Sequence, residues 1–249
     1  MTDMQNIMEG IEIVGSEKDI AISKEDGRTF HILGDLLLLD DETLKKLFYK
    51  LCNFGSEIPK KWGELEEYIF WPSWYLPNKT RVEPDLFLKF QSLALIIEVK
   101  RSDNRGSQTE AQWQKEVDAY YFTYSDNPLP VAFIAIGGNS NYTDEDISLE
   151  FTNNSENKVR IYKCSWLDIR QQTETLLKDL VKARDKAQTS DAFTASRIRL
   201  CRRILYHFNR AGLYYYRNFG NPLLPCVDLT ESYNSVVDWS AGLKQELHG

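Results

Sequence analysis

Three ionisable residues border two neighbouring apolar runs in the segment "RVEPDLFLKFQSLALIIEVKRS", residues 81–102. Asp85 opens the first run, and Glu98 and Lys100 close the second. Residues two apart on a strand point to the same face, so Glu98 and Lys100 should project together. If the polar pair "QS" between the runs forms a tight hairpin, Asp85 lies opposite the second cluster. The sequence therefore predicts that two carboxylates and an ammonium meet at one end of a sheet.

This set of groups is suited to hydrolysis of a phosphodiester. Two adjacent carboxylates repel each other unless a cation lies between them, and hard divalent ions such as Mg²⁺ take oxygen ligands and water. A metal held in this way polarises a phosphoryl oxygen and lowers the pKa of a bound water. A neighbouring lysine can orient that water or neutralise charge on the phosphate.

A purely structural interpretation competes with the catalytic one. Lys100 could form a surface salt bridge with Glu98 or Asp85 and take part in no reaction. Three ionic groups beside such apolar strands need compensation if they are buried, which favours a functional site.

Periodicity predicts the elements that position these groups. Residues 40–55 read as an amphipathic helix that ends at Gly55, and "LALIIEV" is apolar enough for a strand covered on both faces. The other predictions, in chain order, are extended pieces within 1–35 (clearest in "GRTFHILGD"), a helix within "KKWGELEEYIF" that runs into a strand at "YIFW", strands at 82–90, 93–100, 130–138 and 158–164, and helices at 107–124, 165–187 and about 191–211. This order predicts an α/β fold, a mixed central sheet flanked by helices.

Composition limits the protein class. The 249 residues, 42% of them hydrophobic, can bury one core with an appended subdomain. No apolar run reaches the roughly 18 residues of a membrane span, and no signal peptide begins the chain. The four cysteines, at 52, 164, 201 and 226, are far apart, as is usual in a reduced, cytoplasmic protein.

Charge is distributed unevenly along the chain. The net charge is −7, but residues 158–217 hold 14 Lys and Arg against 5 Asp and Glu, a net of +9. The remainder therefore carries −16. Such asymmetry indicates a polyanionic partner, although a solvated helical surface would give the same count.

At the ionisable cluster the chain resembles the PD-(D/E)XK nuclease superfamily. The signature reads here as Pro84-Asp85, twelve further residues, then Glu98-Val99-Lys100. The resemblance covers about residues 57–170 and implies a restriction-endonuclease-like core. The predicted division is 1–56 (strands and a helix packed on the core), 57–170 (nuclease core) and 171–249 (basic helical extension).

The resemblance also implies roles for individual residues. Asp85 and Glu98 would bind Mg²⁺, for which Mn²⁺ would substitute, with help from the Val99 carbonyl, and Lys100 would serve the attacking water. Many members add a glutamate from a helix before the first strand. The candidates are Glu57, Glu64, Glu66 and Glu67, of which Glu64 is preferred; each could equally belong to a solvated acidic face.

Some members place a glutamine on the next helix with a tyrosine four residues later. This chain departs from that pattern, because Gln112 is followed by Glu116, and Gln114 by Asp118. Gln112 is preferred because it precedes the inward-facing Trp113. Gln114 stays an alternative, and either glutamine could be a solvent-exposed residue.

Arginines supply the predicted nucleic-acid contacts. On the helix near residues 191–211 one stripe is apolar and the opposite stripe is basic, free to meet phosphates. The predicted contact residues are Arg101, Arg105, Arg199, Arg203 and Arg210.

The leading hypothesis is a magnesium-dependent nuclease that acts on DNA. Its rivals are a nuclease-like module that binds nucleic acid or assembles without catalysis, and a nuclease directed at RNA. Nucleases of this kind often cut in pairs, so a homodimer is compatible with the hypothesis.

Overall fold

A computed structural model describes residues 25–52, 54, 58–101, 103, 106–143, 145–148, 158–187 and 191–213. The predictions made for residues 1–24, Gly55, Glu57 and Arg105, and for the part of the predicted extension at 188–190 and 214–249, lie outside these residues. Among the described residues, no helix has both the length and the apolar character needed to cross a membrane.

In the described part of the chain, eight strands form two sheets. In chain order they are β1 (Leu65–Phe70), β2 (Trp74–Tyr75), β3 (Arg81–Val82), β4 (Leu86–Phe90), β5 (Ala94–Val99), β6 (Val131–Ile136), β7 (Glu145–Ser148) and β8 (Lys158–Cys164). The central sheet has six strands in the order β1-β4-β5-β6-β8-β7, and β2 and β3 form a separate ribbon. Strands β5, β6 and β8 are parallel, whereas β1–β4, β4–β5 and β7–β8 are antiparallel pairs.

Helices cover both faces of the central sheet. They are α1 (Glu25–Arg28), which continues through a π-helical turn (Thr29–Leu33) into α2 (Gly34–Leu36), then α3 (Asp41–Cys52), α4 (Glu110–Thr123), α5 (Trp166–Ala187) and α6 (Ala192–Arg210). On one face, side chains of β4 and β5 pack against α3, α5 and α6. On the other face, Phe87 and Ile96 belong to a second core with Trp113, Val117 and Tyr120 of α4.

Side-chain caps fix where the helices begin. The Thr109 hydroxyl accepts a hydrogen bond from Gln112 N at the start of α4 (3.3 Å), and Asp191 accepts one from Thr194 N before α6 (2.6 Å). Ser165 caps α5: its hydroxyl accepts from Asp168 N at 3.0 Å, and its own N–H donates to the Asp168 carboxylate. Each cap satisfies N–H groups that a first helical turn cannot pair.

The α/β class, with a mixed sheet flanked by helices, is confirmed, and three local predictions were wrong. "GRTFHILGD" is helical rather than extended, because Ile32, Leu33 and Leu36 form a buried stripe at helical spacing. The helix predicted within "KKWGELEEYIF" is absent, because residues 65–70 pair with β4 as strand β1; the strand predicted at "YIFW" overlaps the second half of β1. The strand predicted over 82–90 is divided into β3 and β4 around Pro84, which cannot donate to a sheet ladder.

Candidate active site

Strand register brings Asp85 and Glu98 together. Gln91 and Ser92 form the turn between β4 and β5, and Leu86 pairs with Ile97. Asp85 directly precedes Leu86 and Glu98 directly follows Ile97, so both lie just beyond this last pair. Asp85 Oδ2 accepts from the N–H of Val99, the residue after Glu98, at 2.7 Å, and the charges of both carboxylates act on Glu116. The predicted convergence of the two carboxylates is confirmed; Asp85 is 8% and Glu98 3% exposed.

Pro84 changes the hydrogen bonding of Val99. Continuing the register places Pro84 opposite Val99, and proline has no N–H to donate to the Val99 carbonyl. Separately, the Val99 N–H donates to Asp85 Oδ2, at 2.7 Å. The N–H and C=O of one strand residue point to the same neighbouring strand, so the Val99 carbonyl is directed toward the Asp85 side. A carboxylate and a carbonyl oxygen are thereby brought to one place.

Lys100 is fixed at both its backbone and its side chain. Its N–H donates to Ile136 O at 2.8 Å, and its carbonyl accepts from Trp166 Nε1 at 2.8 Å. Its ammonium donates to Glu98 Oε1 at 2.5 Å. The salt bridge of the structural interpretation is therefore present, but it is no surface pair, because the side chains are only 16% and 4% exposed.

Gln112 joins the cluster and Gln114 does not. Gln112 Nε2 donates to Glu98 Oε1 (2.6 Å) and to Glu116 Oε1 (3.0 Å). Gln114 donates to Asp118 at 2.7 Å, because two residues along a helix turn the side chain by about 200°. The structure thus selects the preferred glutamine, and Gln114 faces away from Glu98.

Glu116 is a third acid that sequence reasoning missed. In the sequence it marks only a departure from the glutamine–tyrosine spacing of the superfamily that the chain resembles. It is 2% exposed, and its Oε2 is buried without a hydrogen-bond partner among the described residues. The available signal was its place on α4, three residues after Trp113 and just before Val117, on the inward stripe of the helix.

Burial raises the pKa of the Glu116 carboxyl well above its usual value of 4.5, and the Glu98 and Asp85 charges raise it further. The hydrogen bond from Gln112 and the Lys100 charge oppose this rise. The cluster thus contains three carboxyl groups and one ammonium, an arrangement that favours either a bound proton or an added cation.

The oxygen donors fit a hard divalent cation such as Mg²⁺. Asp85 and Glu98 supply carboxylates and Val99 a carbonyl, and one or two carboxylates with waters form the usual Mg²⁺ site. Within the described ranges no three His, Cys, Asp or Glu side chains are grouped so that they could hold a metal ion. Glu116 therefore fits as an outer partner of the site. Its unpartnered Oε2 is costly to bury, and a cation or its waters would satisfy it.

The preferred glutamate of the sequence prediction is remote from this cluster. Glu64 is exposed, and its carbonyl accepts from Gln91 N at 3.2 Å, beside the β4–β5 turn. Asp85 precedes the opposite end of β4, and the six residues from 85 to 91 span about 20 Å of strand. Glu64 is therefore no ligand of a metal at Asp85; Glu66, another candidate, forms an ion pair with Lys89 at 3.1 Å.

A turn at Gly138, just after the neighbouring strand β6, lies directly against the side chain of Lys100. The Gly138 carbonyl, just after β6, accepts hydrogen bonds from the N–H groups of residues 106, 107 and 108, at 3.0–3.1 Å. Gly138 has φ +65°, and a Cβ there would lie 2.8 Å from Lys100 Cβ and 2.2 Å from Ser107 Oγ. The loop so held carries Gln108, which donates to Glu98 O at 3.3 Å.

The predicted nucleic-acid residues differ in their surroundings. Arg199 and Arg210 are exposed on α6, and Arg101 is exposed just after β5. Arg203 forms a two-pronged ion pair with Asp35 (2.6 and 2.5 Å), which raises the pKa of its guanidinium. Asp35 thus neutralises much of the Arg203 charge, in an ion pair that connects α6 to α2.

Comparison with protein-family models gave no match, and no curated protein sequence is significantly similar to the chain. The function of the cluster must therefore be argued from its own geometry.

Proposed function

We propose that the protein is a metal-dependent nuclease that hydrolyses DNA phosphodiester bonds at the Asp85–Glu98–Lys100 cluster. The observation that carries the proposal is the grouping of Asp85, Glu98 and Lys100 at the end of the β4–β5 hairpin, where Val99 N donates to Asp85 and Lys100 donates to Glu98. The proposal includes membership of the PD-(D/E)XK superfamily, which the Pro84-Asp85 and Glu98-Val99-Lys100 motifs support.

Asp85, Glu98 and the Val99 carbonyl would hold Mg²⁺. When bound, the metal polarises a phosphoryl oxygen and lowers the pKa of a coordinated water. Lys100 places a positive charge beside the reacting phosphate, where it orients the attacking water and stabilises developing negative charge. Gln112 holds the Glu98 carboxylate in place through Oε1.

Binding of the rest of the substrate is assigned to exposed cations. Phosphate contacts supply most of the affinity of a protein for DNA and all of its salt dependence. Arg199 and Arg210 lie on α6, Arg101 follows the site directly, and Lys182 and Lys186 are exposed on α5. Nothing in these elements reads base edges, so the proposed binding is to the backbone.

Replacing Arg199 and Arg210 together by glutamine should weaken DNA binding and make it less sensitive to salt. Each lost phosphate contact lowers the slope of log K against log salt by about 1. Fluorescence anisotropy over a salt series measures this slope. Lys46→Gln removes an exposed cation from α3, paired only with exposed Glu42, and should leave the slope unchanged. Equal slopes for all three proteins would remove these arginines from the binding surface.

Replacing Gly138 by alanine should displace Lys100 and reduce cleavage by about tenfold or more, since small misplacements of reacting groups are costly. The matched control is Gly106→Ala, because Gly106 also has positive φ (+87°) but open space around its Cβ position. Both variants should lose about 1–2 kcal/mol of stability through the left-handed backbone, and Gly138→Ala should lose more because its Cβ overlaps Ser107 and Lys100. Tm values measure the loss of stability in each variant. Cleavage rates show whether the catalytic effect of displacing Lys100 is confined to Gly138→Ala. Similar cleavage by both variants would contradict the positioning role.

The proposed function is tested by incubating the protein with supercoiled plasmid, linear duplex, single-stranded DNA and RNA. Each substrate is tested with Mg²⁺, Mn²⁺ or EDTA. Cleavage of DNA that needs the metal is the expected result. Cleavage confined to RNA would redirect the proposal to a ribonuclease. No cleavage of any substrate would overturn it.

One observation favours a second candidate, a module that binds nucleic acid without cutting it. Glu98 Oε1 already accepts hydrogen bonds from both Lys100 and Gln112, so metal binding must compete for this oxygen. Such a module would bind DNA in a salt-sensitive manner and remain indifferent to Mg²⁺. Calorimetric titration with Mg²⁺ separates the two candidates.

A further inference from the structure

We propose that the β2–β3 ribbon binds an unpaired strand of the substrate, with Tyr75 stacked on a base. The inference rests on the proposed function and names its substrate class, DNA with a single-stranded segment at the site. The proposed function was argued from the sequence motif and the contacts around Asp85, and neither of these involves the outer face of the ribbon.

The ribbon arises at the edge of the sheet that carries the candidate site. It interrupts the chain between β1 and β4, and Asp85 follows three residues after the end of β3. The N–H of Trp71, the first residue after β1, donates to Asp85 O at 3.1 Å. Both ends of the ribbon are therefore anchored beside Asp85.

The inner face of the ribbon is packed firmly. A two-stranded ribbon is marginal by itself and needs a surface to rest on. Trp74 and Val82, which are paired across the ribbon, are 3% and 9% exposed. The Trp74 ring lies 5.2 Å from Phe87 and 5.8 Å from Tyr120, between centroids. The ribbon is thus fixed against β4 and α4, the helix that carries Gln112 and Glu116.

The outer face presents an aromatic ring beside cations. Tyr75 pairs with Arg81 and points away from the packed side, because alternate strand residues face opposite ways. Tyr75 is 49% exposed and makes no ring contact or hydrogen bond within the described part of the chain. Arg81 bonds Ser73 and Glu83 along the same face, and exposed Lys79 occupies the turn with φ +64°.

An unpaired strand is the occupant that this chemistry fits. Tyrosine stacks on the face of a base only where no neighbouring base covers it, and Lys79 and Arg81 complement the phosphates. Asp85, Glu98 and Glu116 are all less than a tenth exposed, so the scissile phosphate must enter a recess. Duplex DNA is stiff over such lengths, whereas a single strand can bend into the recess.

The inference is tested by binding in EDTA, so that the result does not depend on cleavage. A single-stranded oligonucleotide with 2-aminopurine reports both affinity, by anisotropy, and stacking, by quenching. Tyr75→Ala should weaken binding of the single strand by about 5- to 100-fold, the range for loss of one stacked base, and should abolish the quenching. Tyr75→Phe, which keeps the ring, should retain both signals.

Two controls complete the design. Phe122→Ala removes an aromatic ring of similar exposure (44%) from α4 and should leave binding unchanged. Blunt duplex DNA should bind wild type and Tyr75→Ala alike. The inference is overturned if Tyr75→Ala binds the single strand as wild type does, or if it loses single strand and duplex equally. Failure of the proposed function is seen separately, as absence of metal-dependent cleavage by wild type.

Discussion

Replacing Lys100 by methionine should reduce metal-dependent DNA cleavage at least about 100-fold, the scale expected when a charge that stabilises the transition state is removed. Methionine keeps the length of the side chain but cannot donate to Glu98 or to a phosphate. Binding of metal and DNA should persist, because the carboxylates and the exposed arginines are unchanged. Initial rates of plasmid nicking, with Mg²⁺ calorimetry beside them, measure the two effects.

The matched control is Lys89→Met. Lys89 lies on the adjacent strand β4 and, like Lys100, pairs with a glutamate, but its pair with Glu66 is exposed. Lys89→Met should cleave like wild type, since an exposed pair contributes little. Lys100→Met should lose some stability, but less than the about 3–5 kcal/mol of a buried pair left unpartnered, because Gln112 still donates to Glu98 Oε1. Undiminished cleavage by folded Lys100→Met would exclude the assigned role.

Replacing Glu116 by glutamine should stabilise the metal-free protein and impair its activity. Burial and the neighbouring carboxylates raise the pKa of the Glu116 carboxyl, so the folded state holds a proton that the unfolded state releases. Stability is then lost as pH rises from about 4.5, the ordinary value, through the higher folded pKa. Glutamine removes this loss, so the variant and wild type should have similar Tm near pH 4.5 and diverge above it.

Each kcal/mol gained should raise Tm by about 2–4 °C for a chain of this size. The same variant should need about 10- to 100-fold more Mg²⁺ for half-maximal cleavage, as is usual when an outer partner of a metal site is changed. Thermal unfolding over a pH series in EDTA, and cleavage over a Mg²⁺ series, give the two readouts.

Glu116→Ala is the informative companion. It also removes Oε1, which accepts from Gln112, and should therefore displace Gln112 from Glu98 and lower cleavage further than glutamine does. A Glu116→Gln protein with unchanged Tm at every pH and an unchanged Mg²⁺ requirement would show that Glu116 is an ordinary buried residue.

The centre of the candidate site could be predicted because its determinants are local. A two-residue turn at Gln91 and Ser92 fixes the register of β4 on β5, and the last pair, Leu86 with Ile97, brings the adjoining Asp85 and Glu98 to the same end of the hairpin. Alternation along β5 then puts Glu98 and Lys100 on one face. Helices α3 to α6 were predictable for similar reasons, since apolar stripes and capping residues at 109, 165 and 191 mark them.

The remainder depended on contacts between distant parts of the chain. The short strand β7 was missed, and the first half of β1 was predicted as helix, although the strand predicted at "YIFW" overlaps its second half. Only pairing with β4 defines β1 as a strand. The same pairing places Glu64 beside the β4–β5 turn, at the end of the sheet opposite Asp85. Glu116 was missed because its role follows from how α4 lies on β5. The partnership of Arg203 with Asp35 joins residues 168 positions apart, which no periodicity reveals.

The measurement that tests the central claim most directly is cleavage of circular DNA by wild type, Asp85→Asn and Lys100→Met in parallel, with Mg²⁺ and with EDTA. The structure predicts that wild type cleaves the DNA in Mg²⁺ but not in EDTA, and that neither variant cleaves it. Asp85→Asn should also lose affinity for Mg²⁺. Cleavage that persists in both folded variants, or in EDTA, would contradict the assignment of the reaction to this cluster.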